Sequence, residues 1–448
     1  MKNIYHSDIY KFNTPIKSYW EDHSSEDLNL EKLSKDISSE VVVIGGGYTG
    51  LSCAINLIEN HNLEVVLVEA GKVGWGASSR NAGFCSLPPS KMSVKRLQSI
   101  YGSEETKRFF KNSVEGSNYT KDIIKEYNID CDVTGDSNYV VAHHPNKFKD
   151  IKEQAKVYSQ DFGIETKLYS KEEFDEIGHG GTEQFGAFSY KPGFAINPLK
   201  FVNGIAKYAL SKKLKIYEHT KIEKIDKDNG NYILRSKEGS IKSKKIVVAT
   251  NGFYQEGLIP KMDGRLLPVI SNIIVTRKLT EDELNQHNFK TYSPIANTKN
   301  LLYYYRKLPD NRILFGTRGD TSGSDQSNLE MSKKMEKFLK DIFPKWIDVN
   351  IEYNWRGLIA LSQKLTPSIG KIDNEEIYYG FGYNGVGVSS APWTGNQLSK
   401  LVFSSNSKEI DISKIYKGLP KKFIFPQLRV LYFKLAVLFY NIKDKLNI

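Results

Sequence analysis

Two apolar runs, Val41-Val42-Val43-Ile44 and Val65-Val66-Leu67-Val68, have no polar residue at alternate positions. A strand with one wet face alternates. A continuous β-branched run predicts a strand buried on both faces, as in a parallel sheet covered by helices. Between the two runs, Leu51-Ser52-Cys53-Ala54-Ile55-Asn56-Leu57-Ile58 has helical character. Residues 246–249, Ile-Val-Val-Ala, repeat the buried-strand pattern, and residues 378–381 predict another strand. Helices are predicted over residues 106–126, 146–158, 332–343 and 391–403. A helix over 197–210 opens on Asn197-Pro198, a good cap and first-turn pair. Residues 137–142, 215–218, 221–226, 268–276 and 301–305 read as strands. Residues 311–316 predict the return strand of a hairpin, with Leu308-Pro309-Asp310-Asn311 as its turn.

The first apolar run enters Gly45-Gly46-Gly47-Tyr48-Thr49-Gly50, and the second ends in Glu69. Strand, glycine turn, helix, strand and acid make the complete dinucleotide-binding fingerprint. Gly45 permits the tight turn, Gly47 lets a pyrophosphate approach the backbone, and Gly50 lets helix and strand pack closely. The helix start, with Tyr48 and Thr49, offers free N–H groups and a positive dipole end to phosphates. Glu69 can accept both ribose hydroxyls, which favours FAD or NAD over NADP. The next stretch, Ala70-Gly71-Lys72-Val73-Gly74-Trp75-Gly76-Ala77-Ser78-Ser79-Arg80-Asn81-Ala82-Gly83, is rich in Gly and Ser around one Arg and one Asn. Such a segment suits a backbone lying along a pyrophosphate and a flavin ring. Ala70, Gly76, Ala77, Ser78, Arg80, Asn81 and Gly83 are therefore cofactor candidates. Thr250, Asn251 and Gly252 join them from the C-terminal end of the third buried run, where α/β ligand crevices lie.

At these residues the chain resembles the D-amino-acid-oxidase superfamily of FAD-dependent oxidoreductases, and within it the γ-glutamylputrescine oxidoreductase-like branch. Further matching elements are Ile196-Asn197-Pro198, Ile246-Val247-Val248-Ala249-Thr250-Asn251-Gly252, Tyr305-Arg306 with Gly316, and Trp355 with Pro367 and Gly370. Gly380-Phe381-Gly382-Tyr383-Asn384-Gly385-Val386-Gly387 and Ser18-Tyr19-Trp20 also fit. The resemblance spans roughly residues 18–425. It implies a mixed α+β and α/β fold: a Rossmann-like, glutathione-reductase-like FAD-binding domain interleaved with an antiparallel-sheet substrate domain. The FAD-binding domain would comprise residues 38–90, 195–260 and 350–410, and the substrate or cap domain residues 91–194 and 261–349. Residues 1–37 would be an extension, and 411–448 an amphipathic helical tail.

The resemblance also implies roles. Ile222 is the candidate for the backbone that meets the adenine. Gly382, Gly385, Val386, Gly387 and Val388 form a second glycine turn, and the helix after it points at the flavin pyrimidine. There its dipole would stabilise negative charge on the reduced ring. The second-domain sheet roofs the flavin, so Tyr303-Tyr304-Tyr305-Arg306 is the candidate substrate wall. Alternate residues share a face, so Tyr303 and Tyr305 point one way, Tyr304 and Arg306 the other. Tyr305, Arg306 and Trp355 are the catalytic candidates. Each has a plain alternative: packing for the two aromatics, a surface ion pair for Arg306.

Monomeric sarcosine oxidases carry a carboxylate-binding lysine in the C-terminal glycine segment and attach flavin to a late cysteine. Residues 384–388 hold no lysine, and Cys53, Cys85 and Cys131 all lie before residue 132. The resemblance then implies noncovalent FAD and a longer amine, such as a γ-glutamylated polyamine. Hydride transfer to flavin N5 would give an imine, then an aldehyde, with O2 or a quinone as electron acceptor. An FAD-dependent oxidase or dehydrogenase of glycine, sarcosine, proline or a D-amino acid is the alternative. It needs a carboxylate-binding arginine, for which Arg306 and Arg277 are the candidates. A tRNA-modifying flavoprotein is a remote third, because no methyltransferase-like domain is appended and no nucleic-acid partner is expected.

Composition changes this picture little. Of 448 residues, 40% are hydrophobic and 26% charged, with a net charge of +11 spread over dispersed lysines. Three cysteines without paired spacing, no apolar leader and no long uncharged apolar stretch point to a cytoplasmic enzyme without a spanning helix. The eight histidines lack metal spacing, so no metal is expected. His143-His144 read as surface residues, and His179 as a loop histidine. The tail carries Leu428, Leu431, Tyr432, Leu435, Leu438, Phe439 and Ile442 at helical spacing, with Arg429, Lys434, Lys443 and Lys445. It is either a terminal helix docked on the protein or an interfacial helix on the inner face of an anionic membrane.

Overall fold

The computed structural model describes residues 4–24, 26–405 and 410–446. The outermost residues of the predicted extension and tail, 1–3 and 447–448, lie outside the described residues, as do 25 and 406–409.

The buried runs assemble as their composition requires. Ile37–Ile44 lies between Val65–Val68 and Ser240–Val248, parallel to both. Lys215–Tyr217 extends the sheet beyond Val65–Val68, and Ile377–Phe381 runs parallel to Ser240–Val248. The hairpin Lys224–Asp228/Asn231–Arg235 and the strand Ser368–Lys371 add antiparallel pairs at the margin. Two helices, Tyr48–His61 and Gly387–Ser404, pack together on one face. Their approach depends on Gly395, where a Cβ would meet Thr49 O at 2.5 Å.

A second eight-stranded sheet stands against the first. Its order is Ile351–Ser362, Leu266–Thr276, Ile313–Arg318, Tyr304–Lys307, Ile295–Asn297, Asn138–Val141, Ala187–Tyr190 and Thr166–Tyr169. All neighbours are antiparallel except Ile295–Asn297 with Asn138–Val141. The helix Asp325–Ile342 covers its outer face with Met331, Met335 and Leu339.

Four boundaries differ from the sequence expectation. Ile351–Ser362 belongs to the second sheet, paired along its length with Leu266–Thr276, although residue 350 was the expected return to the nucleotide domain. A twelve-residue strand crossing between two cores has no local mark at the crossing. The strand expected over 301–305 occupies Tyr304–Lys307, and that expected over 221–226 begins at Lys224. The tail is helical only from Arg429 to Leu446, after a 3-10 turn at Pro426–Leu428, while Ile410, Ile412, Ile415 and Tyr416 are core residues.

Candidate active site

One cavity of about 1460 Å³ runs from the first glycine turn to the inner face of the second sheet. An ordinary small-molecule pocket holds ~300–1,000 Å³, so this one has room for a dinucleotide and a second molecule.

Its first lobe is built by chain geometry. Gly45 sits at φ +115°, and a Cβ there would meet Ala249 O at 2.9 Å. Its N–H donates to Val68 O (2.8 Å), closing the turn against the second strand. A Cβ on Gly50 would lie 1.9 Å from Gly45 O, so only glycine lets the helix start this close to the strand. Gly47 lines the cavity as bare backbone. Glu69 accepts from the N–H groups of Gly46 (2.7 Å) and Gly71 (2.9 Å), which aims its carboxylate along the cavity wall. Burial raises its pKa.

Ser78 accepts from Tyr48 N–H at 3.1 Å, tying the glycine-rich segment to the helix start. Arg80 donates through Nε to Trp75 O (2.7 Å) and lies 3.9 Å over the Trp75 ring, while its Nη2 is buried without a partner. Asn81 accepts from Gly83 N–H (2.7 Å). Asn251 accepts from Gly382 N–H (2.9 Å), so the ends of two parallel strands are linked across the crevice.

Nearly all the cofactor candidates share this wall. Gly45, Gly47, Tyr48, Thr49, Glu69, Ala70, Gly76, Ala77, Ser78, Arg80, Asn81 and Ile222 line the cavity. So do Thr250, Asn251, Gly252, Gly385, Val386, Gly387 and Val388. Gly50, Gly83 and Gly382 stand behind it and shape it. A Cβ on Gly83 would strike Ile196 O at 1.9 Å, and Gly382 makes its turn at φ +81°. The N-termini of Tyr48–His61 and Gly387–Ser404 both open on the cavity, so two positive dipole ends face it.

FAD fits this wall on three counts: bare backbone at Gly47, a carboxylate at the end of the second strand, and unmatched donors. Arg80 Nη2 and Thr250 Oγ1 are buried without partners on the cavity wall. A buried unmatched donor is costly unless a ligand meets it.

The second lobe corrects the catalytic expectation. Tyr305, Arg306 and Trp355 do not line the cavity; Tyr304 and Arg318 do. Tyr305 points to the outer face, where its hydroxyl pairs with His179 Nε2 (2.8 Å) among Phe289, Phe315 and Phe343. The alternation was expected correctly, but which face met the cavity depended on where the sheet docks. Arg306 donates to Ile196 O (2.7 Å) behind the cavity wall. Trp355 donates to Arg80 O (2.8 Å), and Trp20 to Asn81 O (3.1 Å). These three hold residues 80–83 in place from behind. Arg277 is taken by Glu283 at 2.6 Å.

Tyr304 lies across Gly316, where a Cβ would fall 2.1 Å from its ring, and its hydroxyl pairs with Ser271 (2.8 Å). A glycine facing an aromatic inside a strand is the signal that sequence reasoning could have used. Arg318 Nη2 lies 2.9 Å from where a Gly385 Cβ would be, so this second-sheet side chain reaches the second glycine turn. Its Nε is buried without a partner. Burial lowers its pKa. Lys91 lines the same lobe, and enclosure by protein, with Arg318 nearby, pushes its ammonium down to about 7. Lys95, Gln154 and Val157 extend this lobe.

Of the histidines singled out, His143 departs from expectation, whereas His144 is partly exposed and His179 lies in a loop as expected. His143 is buried, with Nδ1 on Thr298 Oγ1 (2.7 Å), rather than on the surface. His144 caps the helix Pro145–Phe162. His179 is fully buried and away from the cavity.

Residues 40–401 match the family described as DAO, FAD dependent oxidoreductase. The γ-glutamylputrescine oxidoreductase of Escherichia coli (strain K12) is 28% identical, over 96% of this chain and 99% of that one. The L-proline dehydrogenase of P. horikoshii superposes with a TM-score of 0.68 at 21% identity, over 83% of this chain and 95% of that one. The glycine oxidase of Geobacillus kaustophilus superposes with a TM-score of 0.67 at 16% identity, over 86% and 99%.

Proposed function

The chain belongs to the DAO family of FAD-dependent oxidoreductases, and from that premise we propose that it oxidises a C–N bond of a carboxylate-bearing amine of the γ-glutamylputrescine type. The observation that carries the reading is Arg318, half-buried at the junction of the two lobes, with its Nε buried and unmatched. The resemblance along nearly the whole chain to a γ-glutamylputrescine oxidoreductase supports it. So does the extension of the cavity lining to Lys95, Gln154 and Val157, which leaves room for an amine longer than glycine.

Held along the glycine turns, FAD would supply a two-electron oxidant for the carbon next to the amine, and the substrate imine would be hydrolysed by water to an aldehyde with release of its nitrogen as ammonia or an amine. The protein's part is placement. Gly45 and Gly47 leave the backbone bare for the pyrophosphate, Arg80 Nη2 supplies a donor, and Glu69 takes the ribose hydroxyls. Arg318 and Lys91 bind the carboxylate and fix which carbon is presented. Tyr304, with Phe84 edge-on at 5.8 Å, walls the apolar stem and excludes water. None of the three cysteines lines the cavity, in keeping with noncovalent cofactor.

The same arginine supports a second reading, an oxidase or dehydrogenase of glycine, sarcosine, proline or a D-amino acid. Either enzyme would work in the cytoplasm with O2 or a quinone as acceptor and no nucleic-acid partner. Anaerobic mixing of the yellow holoenzyme with each amine tests both readings. Bleaching by γ-glutamylputrescine alone supports the first. Bleaching by a short amino acid alone replaces it with the second. No bleaching by any of them overturns both.

A further inference from the structure

The C-terminal helix Arg429–Leu446 is docked by one face only. Phe433 packs on Leu267 and Val269, with Val437 beside it. Arg429 donates to Leu266 O and pairs with Glu256 at 2.8 Å. Asp444 accepts from the backbone N–H groups of Asn300 (2.8 Å) and Leu301 (3.0 Å). These contacts define the inward face and leave the opposite face free.

That opposite face is apolar. Leu431, Leu435, Leu438, Ile442 and Leu446 recur every three or four residues and are 47%, 56%, 59%, 51% and 62% exposed. Phe439 lies alongside, and Ile424, Phe425 and Leu428 prolong the stripe beyond the helix start. A helix needs one apolar face to dock. A second one, turned to solvent, has no use in folding and marks an interaction surface.

The charges say which kind. Residues 421–446 hold six basic side chains, Lys421, Lys422, Arg429, Lys434, Lys443 and Lys445, and one acid, Asp444. The acid is turned inward onto Asn300, and Arg429 is buried, so the lysines border the exposed stripe. An apolar stripe bordered by lysines matches the boundary between anionic headgroups and acyl chains. Among the described residues, no helix is long and apolar enough to cross a membrane.

We propose that this face binds an anionic lipid bilayer, with the helix lying in the interface plane and the enzyme held on one side. The proposal goes beyond the oxidation chemistry and does not depend on the substrate. Its placement bears on the acceptor, however. The docked face touches Leu267, Val269 and residues 300–301, adjoining Pro268, Thr298 and Leu302 of the cavity wall. A bilayer on this helix would bring a membrane-dissolved quinone close to the second lobe.

The test is co-sedimentation of the full-length FAD holoenzyme with phosphatidylcholine vesicles, with and without phosphatidylglycerol, at low and high salt. Binding is expected with phosphatidylglycerol and should weaken as salt screens the lysines. The double substitution Leu435→Glu/Leu438→Glu changes only outward side chains. It should reduce the vesicle-bound fraction more than ~10-fold, while the flavin spectrum and turnover with a soluble dye stay unchanged. Lys434→Glu/Lys445→Glu should weaken binding and its salt dependence with the same spectrum. No sedimentation with anionic vesicles, or binding that the Leu435→Glu/Leu438→Glu variant retains, overturns the proposal. Sedimentation equilibrium supplies the other occupant: a dimer dissolved by that variant, without vesicle binding, would assign the face to a second copy of the chain instead.

Discussion

At the dinucleotide end of the cavity the wall is largely backbone, shaped by glycines that admit no Cβ; at the amine end it is side chain. Gly45 and Gly50 interlock at 1.9 Å between a Cβ and a carbonyl oxygen. Tyr304 and Arg318 come from paired strands of the second sheet, and they meet Lys91 and the glycine turns only through the docking of one sheet on the other. The first end is intolerant of added atoms, because close-packed backbone cannot yield. The second tolerates substitution structurally and answers in kinetics, because its groups are held for a ligand rather than for the fold.

The largest effects should fall at the first end. Gly47→Leu would fill the cradle, its Cβ only 2.7 Å from Ser78 Oγ. The variant should purify colourless and fail to take up added FAD, as read by its visible spectrum. Normal yellow holoenzyme would remove the glycine turn from the cofactor site.

Arg318 and Arg306 sharpen the contrast next. Arg318→Met removes a charge-assisted hydrogen bond to substrate, worth ~1.5–3 kcal/mol, so kcat/KM should fall roughly 10- to 150-fold. Its thermal midpoint should hold or rise, because a guanidinium with a buried, unmatched Nε is lost. Arg306→Met should do the reverse: a lower midpoint from the unpaired Ile196 carbonyl, and a smaller kinetic loss. Equal kinetic losses in the two variants would erase the distinction between them.

The two neighbouring tyrosines offer a finer version. Tyr305→Phe leaves His179 Nε2 without its partner and should cost about 1 kcal/mol of stability with unchanged KM. Tyr304→Phe should alter KM by a few-fold, about 1 kcal/mol or less, with little change in melting. Reversed outcomes would turn the sheet over.

The smallest effect is in pH. Lys91, held down to about 7, carries its charge below that pH and loses it above. Its share of carboxylate binding therefore fades as pH rises through 7, and KM should climb. Over the same range kcat should rise, since the amine must be neutral to be oxidised. Lys91→Met should flatten the KM profile and leave the rise in kcat.

The cofactor end was legible residue by residue because its requirements are local. A tight turn, a close helix start and an acid at a strand end each leave a fixed residue type at a fixed spacing. The amine end left weaker marks. The Tyr303–Arg306 alternation was readable, but not which face would meet the cavity. Gly316, opposite Tyr304, was visible yet carried meaning only once its cross-strand partner was known. Arg318 had no sequence signature, being one arginine at the end of a strand. The strand Ile351–Ser362 joins the second sheet without a local sign of it for a related reason: a long strand reports burial, not which sheet it joins.

By itself the sequence determined the parallel core, the glycine turns and the cofactor class, because backbone conformation and short-range contacts select particular residue types within a few positions. Only the tertiary structure decided that Tyr304 and Arg318 rather than Tyr305 and Arg306 face the cavity, and that the last helix docks with Phe433 inward and its leucines outward. Those choices depend on which surfaces meet across hundreds of residues. Both faces of the strand and both faces of the helix are apolar enough to be buried, so local pattern cannot choose between them.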